Sequence, residues 1–283
     1  VLIENYFESK SKKVAFLVVE GFDQENRKNL EKLGFGSQST VFSNSIKKIH
    51  KDSDVDVFYP SDVEMGSVPE FRDIENYDGI VWTGSILNIY DNTDVIKKQI
   101  RFMENCLSSN IKMFGSCWGM QVAIKVLGGK IRKNPKGPEV GIAHEITLTS
   151  EGENHPMYKN KPRTFYAPAF HLDEVETLPK GSVILSYNDM SAVQSVSIKS
   201  GNAIFWGPQY HPELQYAYLS AVIKARALRL VNSGRFKSED AAFKFADDVL
   251  LKENKKSEEF RITEFKNWIN FIVQQSGGQK SKD

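Results

Sequence analysis

Over the first 130 residues, short apolar runs alternate with longer segments of helical period, and this alternation restricts the fold more than any other feature of the chain. VAFLVV (14–19), DVDVFYP (54–60), YDGIVWTG (77–84) and IKMFG (111–115) have strand length and are rich in β-branched and aromatic residues. Between them, residues 39–50 and 95–105 carry apolar positions at helical spacing, and WGMQVAIKVL (118–127) reads as a further helix stopped by Gly128 and Gly129. Strands crossed by helices bury both faces of a sheet, so the expectation is an α/β three-layer sandwich around a mostly parallel sheet. After Gly129 the texture changes. EITLT (145–149), GSVILSYN (181–188), AVQSVSIK (192–199) and NAIFWGPQY (202–210) follow one another with turns and no long helices, so the sheet is expected to become mixed. Beyond Tyr216 the pattern is helical to Leu230, with a terminator in NSG (232–234). In RITEFKNWINFIVQQ (261–275), Ile262, Phe265, Trp268, Ile269 and Ile272 share one helical face. This divides the chain into a tail (1–12), a main domain (13–232) and a helical extension (233–283) with a mobile end. No internal repeat is present.

Composition narrows the function. Basic residues number 37 against 36 acidic, so no global field attracts a polyanion, and neither nucleic acid nor a membrane surface is expected as partner. A small substrate fits better. The run VAFLVV is too short to span a bilayer. Two cysteines, Cys106 and Cys117, make no disulfide framework and lack the companions of a zinc site, which points to a reducing, cytoplasmic setting with no metal or other cofactor.

Cys117 stands out by context. FGSCWGMQ (114–121) places it between Gly115 and Gly119 where a strand passes directly into a helix. Such a turn presents the central side chain at the top of the sheet, and glycines are needed because side chains would strike the adjacent strand and helix. The helix N-terminus favours a thiolate, and the backbone N–H of Trp118 would point at an oxyanion formed on the substrate. A base is then required. Among His50, His144, His155, His171 and His211, only His211 follows a strand directly, with Pro212 fixing the turn and Glu213 two residues on to orient the imidazole. His50 and His155 lie in polar surroundings expected at the surface, and His144 has no evident partner. Cys117, His211 and Glu213 thus supply a nucleophile, a base and an orienting carboxylate.

GSCWGMQ followed by QYHPE resembles the class I (triad) glutamine amidotransferase family, and the Cys-x-Gly-Met-Gln form is similar to the amidotransferase domain of GMP synthase. The resemblance covers residues 14–230. YDGIVWTGSILNIYD matches the family's oxyanion loop in position, with Gly84 and Ser85 in place of its Gly-Gly-Pro, and HLDEV (171–175) is similar to its His-x-Asp-x-Val segment. The resemblance implies a flavodoxin-like amidotransferase fold and a specific reaction. Cys117 attacks the side-chain amide of glutamine, His211 hands a proton to the departing nitrogen, and water resolves a γ-glutamyl thioester. It further implies Gly84 and Trp118 as oxyanion donors, with Ser85, Gln121, Phe170 and His171 around the glutamyl group. No ATP-pyrophosphatase signature and no Walker-type loop follows. The first expectation is therefore a glutaminase releasing ammonia for a separate synthetase. The alternatives are a stand-alone γ-glutamyl amide or peptide hydrolase or transferase, and, less favoured, a non-catalytic regulatory binding protein.

Overall fold

The computed structural model describes residues 13–252 and 255–278; the expected tail over 1–12 and the last part of the expected mobile end, 279–283, lie outside them. The first half of the chain runs β1 (Ala15–Val19), α1 (Gln24–Glu31), α2 (Gln38–Ile49), β2 (Asp54–Phe58), α3 (Phe71–Ile74), β3 (Gly79–Trp82), α4 (Asp94–Leu107), β4 (Lys112–Gly115) and α5 (Trp118–Val126). Seven strands and one short helix come next: β5 (Lys130–Lys133), β6 (Glu139–Ile142), β7 (Ile146–Leu148), α6 (Ser150–Glu153), β8 (Thr164–Phe165), β9 (Pro168–His171), β10 (Asp173–Thr177) and β11 (Ser182–Tyr187). β12 (Ser195–Ser200) and β13 (Ala203–Pro208) complete the strands. The helices α7 (Tyr216–Ala225), α8 (Ala227–Asn232), α9 (Glu239–Leu250), α10 (Lys255–Arg261) and α11 (Thr263–Gly278) finish the fold.

Among the described residues, nine strands form one sheet in the order β2-β1-β3-β4-β13-β12-β11-β7-β8. From β2 to β13 every pairing is parallel, and from β13 to β8 every pairing is antiparallel. The change of texture in the sequence therefore marks a real change in strand pairing. Two small ribbons, β5 with β10 and β6 with β9, stand apart from the main sheet.

Alternation along the parallel strands covers both faces. Leu17, Val19, Ile80, Trp82, Met113 and Phe205 point to a layer that includes Ile96, Phe102 and Met103 of α4 and Met120 and Val122 of α5. Phe16, Val18, Val81, Phe114 and Trp206 point the other way, toward Phe42 and Ile46 of α2 and Phe265, Trp268, Ile269 and Ile272 of α11. Trp268 lies 5.7 Å from Phe16 and 5.9 Å from Phe114 between ring centroids. The apolar face read in the C-terminal segment is thus spent on the protein's own sheet, with Ile262 partly buried beside it.

α1 was hidden in the sequence because QENRKNLE is almost wholly polar and buries only Arg27 and Leu30. Asp23 starts it by accepting a hydrogen bond from the Asn26 N–H at 2.9 Å. His50 keeps part of its surface exposed, whereas His155 is not the solvated surface residue expected. His50 Nδ1 bonds Ser53 Oγ at 2.9 Å, and His155 packs edge-on against Trp206 at 4.7 Å, where burial pushes its pKa down to about 4.

Candidate active site

β4 ends at Gly115 and α5 begins at Trp118, so Cys117 occupies the turn at the C-terminal edge of the parallel strands. Its φ of 48° and ψ of −96° put a non-glycine residue in the left-handed half of backbone space, a conformation that costs about 1–3 kcal/mol and must be imposed by its surroundings. Three hydrogen bonds impose it: Cys117 N–H to Pro208 C=O at 2.8 Å, Ser116 N–H to Trp82 C=O at 3.2 Å, and Gly119 N–H to Ser116 C=O at 3.0 Å. The flanking glycines are sterically required, as the spacing predicts. A Cβ on Gly115 would stand 2.8 Å from the Phe205 ring, and one on Gly119 would stand 2.7 Å from Trp82 Cβ. Trp118 is anchored through its indole N–H, which donates to Gln99 Oε1 at 2.6 Å, while its backbone N–H lies in the first helical turn, where no intrahelical acceptor exists.

His211 reaches this turn from the loop after β13. Its backbone N–H donates to Pro168 C=O at 2.8 Å and its Nδ1–H to Glu213 Oε1 at 2.7 Å. Burial alone would hold the imidazole's pKa down. The charge of Glu213 and the hydrogen bonds with Cys117 and Glu213 outweigh it and push the value up to about 10, so His211 rests as an imidazolium at neutral pH. Cys117, His211 and Glu213, nearly a hundred residues apart in sequence, therefore meet in one buried cluster. Cys106, by contrast, is wholly buried in α4, and burial pushes its thiol pKa far up.

Two further residues belong to the cluster and were not singled out from the sequence. Ser116 Oγ–H donates to Glu213 Oε2 at 2.9 Å, so both carboxylate oxygens are engaged, one by the imidazole and one by the residue before the cysteine. Gln209, fully buried, directs its amide Nε2 to Cys117 Sγ at 3.4 Å, and Gln121 Nε2 reaches Gln209 Oε1 at 3.4 Å. The signal for both was their place inside the two motifs, Ser116 in GSCWG and Gln209 in PQYHPE.

The oxyanion loop needs one correction. Gly84 does lie against the imidazole, since a Cβ there would fall 2.7 Å from His211 Cε1, but its N–H is not free: it donates to Gln38 Oε1 at 2.8 Å. Gln38, at the start of α2, occupies the donor expected for the oxyanion. The loop is held from below by Glu20. Its carboxylate accepts from Ser39 N–H at 2.9 Å and Thr83 Oγ–H at 3.1 Å, and burial raises its pKa against those hydrogen bonds.

Over Cys117 a small cavity is lined by Ser85, Gln121, Phe170, His171, Asp173 and Arg229 among others. Ser85, Gln121, Phe170 and His171 are thus assembled around the cysteine. The His171 ring does not serve the sulfur: Nε2 pairs with Glu139 Oε2 at 2.8 Å and Nδ1 with Asp173 C=O at 2.9 Å. This fixes β9 and its turn as one wall. Burial would raise the Glu139 pKa, but the hydrogen bond and charge of His171, helped by His144 N–H and Gln194, hold it down at about 2. Asp173, with Tyr90 O–H donating to it at 3.0 Å, is a wall carboxylate to which its place in HLDEV gave no role. Among the described residues no three His, Cys, Asp or Glu side chains gather as metal ligands, and no helix is long and apolar enough to cross a membrane.

The family model described as glutamine amidotransferase class-I matches residues 34–223. A γ-glutamyl-L-1-hydroxyisopropylamide hydrolase of Pseudomonas sp is 32% identical over 92% of this chain and 94% of that protein. A subunit of the glutamine-hydrolyzing GMP synthase of Methanocaldococcus jannaschii is 28% identical over 46% of this chain and 65% of its own length. Among solved structures, a glutamine amidotransferase from Thermotoga maritima superposes with a TM-score of 0.66 at 18% identity, covering 92% of this chain and 98% of that one.

Proposed function

The chain belongs to the class-I glutamine amidotransferase family, and from that premise we propose that it hydrolyses γ-glutamyl amides through a thioester on Cys117. The observation that carries the chemistry is the strained Cys117 turn facing an imidazole that Glu213 keeps protonated. The cysteine sulfur attacks the γ-carbonyl carbon of the substrate and the C–N bond breaks. His211 gives its proton to the departing nitrogen, which leaves as a neutral amine or ammonia. Water, deprotonated by the now neutral His211, then attacks the thioester carbon, releasing glutamate and restoring the sulfur. The Trp118 N–H is the oxyanion donor supplied by the helix start. A second donor comes from the loop at Gly84 and Ser85 once Gln38 yields Gly84 N–H, or from the Ser85 N–H directly. Gln209 holds the sulfur, and Gln121 and the Phe170–His171 wall receive the glutamyl group.

Two observations favour a hydrolase complete in itself over a subunit feeding ammonia to a synthetase. The similarity to the γ-glutamyl amide hydrolase runs over nearly the whole chain, whereas that to the GMP synthase subunit spans less than half. The apolar face of α11, which a synthetase could have covered, is filled by the sheet. The ammonia-supplying reading is the second one, and it draws on the match to that synthase subunit. The test is turnover of glutamine and of a panel of γ-glutamyl amides and dipeptides by the isolated protein, with Cys117→Ala as control. Amine release from a γ-glutamyl amide well above ammonia release from glutamine is expected. Slow glutamine turnover with nothing else cleaved would favour the ammonia-supplying reading, and undiminished turnover by Cys117→Ala would remove the mechanism.

A further inference from the structure

Two arginines stand beside the proposed reaction centre without an anion. Arg229, in α8, lines the cavity over Cys117. Arg226, between α7 and α8, lines a second cavity together with His211. Ser85 and Phe170 are walls of both, so the two spaces adjoin across these residues. Among the described residues neither guanidinium meets a carboxylate or a hydrogen-bond acceptor. The carboxylate that lines the cavity with Arg229, Asp173, is bonded by Tyr90 instead. Arg226 lies against aromatic faces, 5.8 Å from the Phe22 ring centroid and 5.6 Å from that of Phe170.

A partly buried guanidinium that feels a second cation and has no counter-charge is an unfavourable arrangement for a resting protein. Burial first, and then repulsion from Arg229, bring the Arg226 pKa down to about 10, although Tyr218 opposes the shift. The group remains charged at neutral pH. An anion placed at the meeting of the two cavities relieves both costs at once, and the planar guanidinium fork matches the two oxygens of a carboxylate.

We infer that Arg226 and Arg229 form a carboxylate-reading subsite that selects anionic γ-glutamyl compounds and orients them on Cys117. The inference rests on the γ-glutamyl hydrolase reading. The carboxylate has two possible sources: the α-carboxylate of the glutamyl group, or a carboxylate on the leaving amine when that amine is an amino acid.

The experiment is steady-state kinetics of the full-length protein and of Arg229→Gln, Arg226→Gln and Arg226→Lys on three substrates. These are γ-glutamylglycine, γ-glutamylethylamide, which lacks the leaving-group carboxylate, and 4-aminobutanoylglycine, which lacks the α-carboxylate. Thermal melting accompanies each variant, and Arg229→Gln, at an exposed position, keeps the test sound if Arg226→Gln fails to fold. Arg229→Gln is expected to raise KM at least tenfold on substrates bearing the carboxylate that is read, and Arg226→Lys to recover part of the loss seen in Arg226→Gln. If the α-carboxylate is read, the penalty appears with γ-glutamylglycine and γ-glutamylethylamide alike, and the wild type itself handles 4-aminobutanoylglycine poorly. A leaving-group source confines the penalty to the two glycine compounds. Cysteine-dependent turnover whose KM is indifferent to both arginines, or one that suffers equally on all three substrates, would overturn the inference alone. Absence of any Cys117-dependent turnover by the wild type would overturn the hydrolase reading and the inference with it.

Discussion

At the scale of single residues, the site is a set of groups each made reactive or rigid by one neighbour. Ser116 is the least expected of them. Its hydroxyl occupies the Glu213 oxygen that the imidazole leaves open, which ties the partner of His211 to the residue next to Cys117. Ser116→Ala leaves a buried carboxylate oxygen without its donor. Losing one such hydrogen bond to a charged group costs about 1.5–3 kcal/mol, so kcat is expected to fall by about tenfold or more, with recovery in Ser116→Thr. Equal kcat for Ser116→Ala and wild type would show that the serine only packs. Glu213→Gln removes the charge that outweighs burial at His211, so the alkaline fall in activity, expected near pH 10 in the wild type, should move toward neutrality. An unmoved alkaline limb would argue that another group controls it. That Cys117, His211 and Glu213 stand out was legible because a cysteine between two glycines and a histidine followed by proline and a carboxylate are local patterns. Gln38, Arg226 and Asp173 were not, because their relevance comes from walls that meet only in three dimensions.

Among the elements, the C-terminal pair α10 and α11 lies beyond the family match at 34–223 and still reaches the site. Glu264 accepts from Tyr210 O–H at 2.6 Å and pairs with Lys161 at 2.9 Å, all within the core, while Arg261 Nη1 donates to Pro212 C=O at 2.6 Å. Tyr210 and Pro212 flank His211, so the helices that complete the sandwich also grip the loop that carries His211. Removing one partner of a buried ion pair costs about 3–5 kcal/mol, so Lys161→Met is expected to lower the melting temperature sharply, and Lys161→Met with Glu264→Gln to recover part of the loss. Equilibrium denaturation of both variants decides it, and a double variant as damaged as the single one would contradict the pairing. Trp268→Ala, which opens a cavity against Phe16 and Phe114, should cost about 3–5 kcal/mol in the same assay. The amphipathic period of this helix was plain in the sequence, but its destination was not, since a period gives a face and never names what covers it. β8 and the ribbon of β5 and β10 were equally invisible: β8 is two residues long, and KIRK and DEVET are too charged to show as apolar runs.

For the molecule as a whole, the alternation of strand and helix signals was enough to give the three layers, because parallel strands linked by helices admit few other arrangements. The strand order was not legible, as β13 joins β4 from nearly ninety residues away. Three titrations bound the stability of the assembled protein. Glu139 sits at about 2 in the folded state against 4.5 when unpaired, so its stabilisation, roughly 3 kcal/mol, is complete above pH 4.5 and is lost as pH falls toward 2. His155, pushed down from 6.5 to about 4, resists protonation in the folded state, so stability falls as pH drops from 6.5 to 4. His211 is raised from 6.5 to about 10, so its contribution is complete below pH 6.5 and is lost as pH rises toward 10. Stability should therefore peak near pH 6.5 and fall on both sides, and Glu139→Gln should flatten the part of the acid slope below about pH 4. A slope below pH 4 that survives this change would assign it to other carboxylates. The central claim, a γ-glutamyl thioester on Cys117, is tested most directly by intact mass measurement of the acid-quenched protein during turnover of a γ-glutamyl amide. The account predicts a species heavier by one glutamyl group, bound at Cys117 and missing from Cys117→Ala. Rapid turnover by a protein that never gains that mass, or gains it at another residue, would contradict it.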